Sequence, residues 1–409
     1  MLNLRETSTA RAQIGAPNYS ACRSEALAVA EQLGLPSRRV EAWHYTDLAR
    51  LLKQGPSAPL SAPADLLQLS PYVIVSDDDG VHLPERLLQD PAISVTSIFD
   101  RAPEQWAPLL TASDHRVALD AYNLALLEGG VYVTVSGRPQ FPICFSYRGN
   151  SDRVLRHIIR LEKGAELTLC EHYAATQLCH TAVSIDLEEG ASLEHMILHE
   201  NGAVLTVNQA HLAASARVNR HYLAYAPHMA RHETHAFMDA PDARFDLTGT
   251  LLLGQSAQCD VTSVLEHRSP HSNSDTLVRS VLTDDAHGIF QGKILVHRDA
   301  QHIDAQQAAH TLLSSETAQM SVKPELEIFA DDVACSHGAT IGEVDPDALF
   351  FLRSRGVPEP QAREMLISGF MSVGLSRVRD ENLRNFMQEL VTRRIEQMVH
   401  RGPLQSQGA

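Results

Sequence analysis

The chain has 409 residues, 44% of them hydrophobic, and a formal net charge of −16. That length allows two or three domains with sizeable cores, and the acidity argues against nucleic acid as a general partner, because phosphate binding needs clustered Lys and Arg. No apolar run approaches the roughly 18–20 residues a membrane helix requires, and the opening Met1-Leu-Asn-Leu-Arg-Glu-Thr7 lacks the basic-then-apolar pattern of a secretory signal, so a soluble cytoplasmic protein is expected.

In chain order, the first predicted element is a helix over Glu25–Leu33, capped by Ser24 and ended by Gly34 and Pro36. Arg38–Leu48 suggests a further helical turn, and residues 55–65 form a linker by composition. Val73-Ile-Val75 has the look of a short strand, and another helix is expected over about 116–128, ended by Gly129-Gly130. From Val131 onward, short β-branched runs alternate with turn residues for some two hundred positions.

A weak repeat runs through this β-rich region. Leu161-Glu-Lys-Gly-Ala-Glu-Leu167 recurs as Leu187-Glu-Glu-Gly-Ala-Ser-Leu193, and in degraded form from Leu212, Leu253 and Leu282. Its physical reading is a strand, a tight corner with Ala packed inside, and the next strand. Copies at offsets in the twenties suggest a solenoid, and strands with few helical stretches between them favour a β-helix. An ordinary β-sandwich with similar hairpin turns is the alternative. After Asp345-Pro346 the period turns helical. A helix is expected from Pro360 to Val373, and Leu383, Phe386, Met387, Leu390, Val391, Ile395 and Met398 mark one face of another. Such a tail is too short for a large core of its own, so it must pack on the β-region or on a partner.

The candidate chemistry is sparse. Six cysteines at 22, 144, 170, 179, 259 and 335 contain no Cys-x-x-Cys, which argues against a zinc module, a thioredoxin motif or a disulfide scaffold. Most read as small buried hydrophobes. Cys335 and His337 lie two apart in an extended run, so with Val333 they share one strand face. Thiolate and imidazole suit iron, zinc or copper, but two ligands do not complete a site that needs about four. By spacing alone a buried Cys beside a surface His is the simpler reading. His228, His232 and His235 imitate a metal-binding helix, yet they sit among strands, where His232 and His235 face opposite sides. Gly288-Ile-Phe-Gln-Gly292-Lys293 lacks the spacing and the Ser/Thr of a phosphate loop, so no nucleotide is expected on this chain. Asp284-Asp285 and Asp331-Asp332 fall at predicted turns, where Asp serves local hydrogen bonding.

The stretch Lys323-Pro-Glu-Leu-Glu-Ile328, with Ala330-Asp-Asp-Val-Ala-Cys-Ser-His-Gly-Ala-Thr-Ile-Gly342 and Leu349-Phe-Phe-Leu-Arg-Ser-Arg-Gly356, resembles in order and spacing the C-terminal signature of the SufB/SufD family of iron–sulfur cluster assembly proteins. Phe290–Val296, Asp304-Ala-Gln-Gln307 and Arg39-Val-Glu-Ala-Trp-His-Tyr-Thr46 are similar to the family too, and the Asp-Asp-Val-x-Cys-Ser-His-Gly-Ala-Thr form is of the SufD type. Ala334 and His44 depart from the residues common at their positions. The resemblance implies a mainly β chain, a right-handed parallel β-helix flanked by helical domains. Its parts would be a mostly helical 1–128, a β-helix core 129–345 and a helical 346–409 that docks the ATPase SufC. It implies a scaffold rather than an enzyme, paired with SufB, with homodimers possible in isolation. A transient iron–sulfur cluster or iron would then sit at the SufB interface against Cys335 and His337. A stand-alone metal-binding β-helix and a β-helix carbohydrate-active enzyme are the rival readings.

Overall fold

A computed structural model describes residues 18–51, 63–101, 117–225 and 228–400. Nineteen strands among them form two long sheets. The first sheet holds β1 (Tyr72–Asp77), β2 (Gly80–His82), β5 (Ile143–Tyr147), β7 (Glu166–Tyr173), β9 (Ser192–His199), β11 (Arg217–Ala224), β13 (Arg244–Leu253), β15 (Asn273–Leu282), β17 (Ile303–Leu313) and β19 (Val333–Gly342). The second holds β3 (Ile93–Ser97), β4 (Val131–Val135), β6 (Arg153–Leu161), β8 (Cys179–Leu187), β10 (Val204–Leu212), β12 (Met229–Met238), β14 (Gln258–His267), β16 (His287–Val296) and β18 (Gln319–Ile328). From β4 the chain passes from one sheet to the other at every strand, and each strand pairs in parallel with the strand one coil earlier. This is a parallel β-solenoid, as the repeat and the resemblance led one to expect. The antiparallel pairs β1–β2 and β3–β4 close its beginning.

The repeat turns out to be the corner. Ala165, Ala191 and Ala216 are buried between a second-sheet strand and the next first-sheet strand, while Ala257 and Ala286 occupy the opposite corner. At each of these corners one residue adopts the left-handed backbone, with φ of 69° at Gly164, 71° at Gly190, 58° at Ser215, 57° at Gln255 and 54° at Asp284. Glycine meets that demand without a steric cost, and Asp or Ser offsets the cost with local hydrogen bonds. Asp284, read as a turn residue, is one of them. Coil length is not constant. Leu167 pairs with Leu193, which pairs with Val218, but further along Ser274 pairs with Ala305, and Ala305 with Cys335. The rise from the mid-twenties to thirty or more residues explains why the later copies fade.

The interior is apolar at its ends, filled by side chains such as Leu167, Leu193, Val218, Phe245 and Phe290. Both outer faces are covered. Helices α1 (Asn18–Leu33) and α4 (Val117–Ala125) lie on the second sheet, where Tyr19, Ala26 and Leu124 pack with Ile158. The short helices α2 (Leu48–Leu51) and α3 (Glu85–Leu88) belong to the same N-terminal half. α6 (Glu359–Leu375) and α7 (Glu381–His400) lie on the first sheet, where Ile367, Met371, Leu383 and Met387 pack with Met196, Leu198, Leu252 and Val281. Covered on both sides, β8, β9 and β12 are buried almost end to end, and their polar residues must find partners inside the protein.

The tail therefore packs on the β-region. All of the predicted a/d-type residues from Leu383 to Ile395 are buried, with Met398 at the margin. α1 differs from expectation at its start: it begins by Asn18, and Ser24 sits inside it, donating its hydroxyl to the Ser20 carbonyl at 2.8 Å. Arg38–Leu48 makes a 3-10 turn at Glu41–Trp43 and the start of α2. Most of the 55–65 linker lies outside the described residues. None of the described helices is long and apolar enough to cross a membrane.

Candidate functional site

The last coil is unlike the others: among the described residues no further strand pairs with it, and its side chains are left largely exposed. β18 and β19 are the terminal strands of their sheets, and most of their residues are partly or fully exposed. A parallel edge leaves a row of unpaired backbone groups, which a single chain usually protects. Here protection is partial. Pro324 removes one donor from β18 opposite Gly292, a substitution a sheet tolerates at an edge. Lys293 pairs with Glu327 at 2.7 Å, and Lys323 with Glu41 at 2.7 Å. Beside these charges Ile328, Phe329 and Ile341 stand 39%, 62% and 49% exposed. Such a combination of apolar side chains and open edge fits an interaction surface.

β19 carries Cys335 and His337 at this end. Its register sets Cys335 over Ala305 and His337 over Gln307. Val333 and Cys335 pack on Ile303, Ala305, Ala300 and Ile294, the last apolar layer of the interior. His337, of the same strand parity, is exposed, and beneath it Gln307 is buried and donates its side-chain amide to the Glu325 carbonyl at 3.2 Å. The thiol and the imidazole thus stand side by side at the mouth of the solenoid. Burial and the nearby Asp304 carboxylate push the Cys335 thiol upward, so it holds its proton until a cation or a new partner displaces it. Among the described residues no three His, Cys, Asp or Glu side chains converge on one point. Cys335 and His337 can contribute two ligands and no more.

The other candidates separate. His228, His232 and His235 belong to no helix: β12 turns His232 inward, against Tyr222 and the Thr206 hydroxyl, while His235 faces out. Gly288 to Lys293 is the β16 strand. Asp332 at the corner before β19 pairs with His302 at 2.8 Å.

Sequence reasoning missed a polar lane inside the solenoid. Glu171, on the inward face of β7, accepts a hydrogen bond from Tyr173 at 2.7 Å and one from Tyr147 at 3.2 Å. His195, one coil on, lies 2.8 Å from Glu171, and Arg220 donates Nε to His195 Nδ1 at 3.2 Å. Because Nδ1 accepts, the proton of a neutral His195 sits on Nε2 and points at Glu171. Burial holds His195 down at about 4, and Glu171 below the usual carboxylate range despite burial, since His195 and Tyr173 donate to it. A second such cluster lies outside the second sheet, where Arg231 reaches Glu233 at 2.7 Å and Asp260 at 2.5 Å beneath the Trp43 ring, 4.0 Å away. The signal available was charged residues set inside β-branched runs, as in Thr-Leu-Cys-Glu-His-Tyr173. Nothing in the run itself says which charges face each other across coils.

Residues 146–370 match the family model described as "SUF system FeS cluster assembly, SufBD core domain". The chain is 28% identical over 380 residues to the iron–sulfur cluster assembly protein SufD of Escherichia coli, covering 86% of this chain and 87% of that protein. It is 24% identical over 417 residues to the SufD protein of Bacillus subtilis, covering 91% and 93%. A SufBD family protein of Synechocystis is 28% identical over 252 residues, covering 58% and 56%. A family model matched over more than half of the chain, with a parallel solenoid that ends in the Cys335–His337 strand, places this protein in the SufB/SufD family of iron–sulfur cluster assembly proteins, among its SufD relatives.

Proposed function

We propose that this chain is the SufD-type half of a cytoplasmic assembly scaffold that pairs with SufB through the open end of its solenoid. In this reading a nascent iron–sulfur cluster, the cargo, is built where the two solenoids meet and is passed on to apo-proteins. Cys335 and His337 supply this chain's ligands, and SufB supplies the rest. The single observation that carries the reading is a two-donor half site on an uncapped solenoid end. A site that needs about four ligands is completed by an interface or not at all.

The C-terminal helices dock the ATPase SufC. Helix α5 (Pro346–Ser354) buries none of its residues, and it joins β19 through Glu343-Val344-Asp345 alone. Asp345 caps it, accepting from Asp347 N at 2.9 Å. Movement of α5 by SufC on ATP binding is therefore transmitted directly to the strand that carries Cys335 and His337. The chain turns over no substrate by itself and binds no nucleotide.

The test is co-expression of His337→Ala with SufB and SufC, followed by iron and sulfide analysis of the purified complex. A large loss of cluster with intact complex is expected, and unchanged loading overturns the ligand role. A stand-alone metal protein, the rival reading, predicts tight iron binding by the isolated chain. The scaffold reading predicts weak binding until SufB is added.

A further inference from the structure

The coil length brings together two cysteines that the sequence keeps 26 positions apart. Cys144 on β5 and Cys170 on β7 are direct register partners on neighbouring coils. Both point out of the solenoid into an apolar layer that also holds Leu66, Val73 and Met196, and both are fully buried. Neighbouring strands run about 4.8 Å apart, inside the Cα separation that a disulfide spans. Both are free, buried cysteines. Cys179 and Cys259, by contrast, face the interior on β8 and β14, two strands of the second sheet that do not pair with each other.

We propose that Cys144 and Cys170 form an oxidisable dithiol, a coil-to-coil redox site on the buried outer face of the first sheet. The surroundings choose disulfide over metal thiolate. A monovalent soft ion such as copper(I) held by two thiolates would leave one negative charge in an apolar layer shared with Leu66 and Met196, and a divalent ion would need further ligands that the layer does not offer. Glu171 and Glu200 are the charged groups that act on Cys170, and both oppose further negative charge. A disulfide is neutral. With hydrogen peroxide as oxidant, one sulfur attacks the peroxide, breaks the O–O bond and becomes a sulfenic acid, releasing one water. The second sulfur then attacks the first, the S–O bond breaks, and another water leaves with the proton of the second thiol. The two thiols lose two electrons and peroxide gains them. The bond ties β5 to β7 beside Met196, the partner of Cys170 on β9. In a reducing compartment such a pair is a reversible, responsive bond and not a permanent staple.

The experiment uses the reduced full-length chain treated with hydrogen peroxide, quenched with an alkylating agent and mapped by peptide mass spectrometry. The expected result is a Cys144–Cys170 linked peptide two hydrogens lighter than its parts, reversed by dithiothreitol and absent in Cys144→Ala and Cys170→Ala. Burial slows the native reaction, so the chain is also unfolded and refolded in a glutathione redox buffer, where access is not limiting. Linkage of Cys170 to any other cysteine, or both thiols still free after both treatments, overturns the proposal. Neither outcome bears on the role of Cys335 and His337.

Discussion

At the residue scale, the buried histidines set the acid limit of the fold. His157, His195, His199 and His267 are each held down at about 4 by burial. The unfolded chain takes up these protons near 6.5. The folded state binds fewer protons between those values, so stability falls as pH drops from about 6.5 to about 4, by on the order of 3 kcal/mol per histidine, and it levels off below. Denaturant midpoints measured from pH 7.5 to 4.5 check this, and a flat profile over that window contradicts it. Glu171 works through a different range. Its folded pKa is depressed, so its contribution is complete above the ordinary carboxylate value and is lost only as pH falls below it. Glu171→Gln keeps the shape but removes the charge facing His195 and Arg220, which leaves the buried guanidinium without its balancing carboxylate. A cost of about 3–5 kcal/mol is expected by chemical denaturation.

At the scale of elements, two attachments hold the flanking helices to the solenoid. The turn between α6 and α7 is fastened at Glu194, which accepts from Asn219 Nδ2 at 3.1 Å and from the Arg379 backbone N–H at 2.9 Å, and pairs with His221 Nε2 at 2.8 Å. Arg379 reaches Asp246 at 3.2 Å, and Arg377 reaches Asp275 at 3.0 Å. Glu194→Ala leaves His221 Nε2 and the Arg379 N–H without an acceptor, while Asn219 keeps the Arg377 carbonyl at 2.9 Å, at a cost of about 2–3 kcal/mol. Faster hydrogen exchange in α7 than in β9 and β11 is the expected signature, and uniform exchange throughout contradicts the local anchor. On the other sheet Trp43 covers Arg231, and Thr46 hydrogen-bonds Asp260. Trp43→Ala opens a cavity beside a buried ion pair and lowers stability by about 3–5 kcal/mol. The helical period of 383–398 was legible because one apolar stripe served one contact. The extent of α1 was not, because Ser24 has the chemistry of a cap, yet it sits on the exposed face and bonds the Ser20 carbonyl one turn back.

At the scale of the whole molecule, the described residues cover both sheets and one end of the solenoid. The first sheet has α6 and α7, the second has the N-terminal half, and the beginning has the β1–β2 and β3–β4 pairs. The remaining end carries the Cys335–His337 strand and continues into α5, whose Phe350 and Phe351 are 71% and 52% exposed. In the function proposed, the two surfaces serve two partners and separate by mutation. Phe350→Glu with Phe351→Glu is expected to abolish SufC copurification by at least tenfold while SufB is retained. Removal of residues 360–409 is a poorer instrument, since it uncovers the apolar outer face of the first sheet. Loss of both partners from the double variant, with the chain still folded by circular dichroism, contradicts separate docking surfaces.

The sequence alone pointed to the solenoid, because several corners need a left-handed residue and a small one, and these recur at the spacing of a coil. It placed Cys335 and His337 together as well, since strand alternation puts both on one face whatever surrounds them. Tertiary structure decided the rest. Register between coils is set by corner lengths that vary, so no linear pattern announces that His195 meets Glu171, or Cys144 meets Cys170. Which end stays open depends on where the flanking helices find apolar sheet to cover, and that is settled only when both sheets are built.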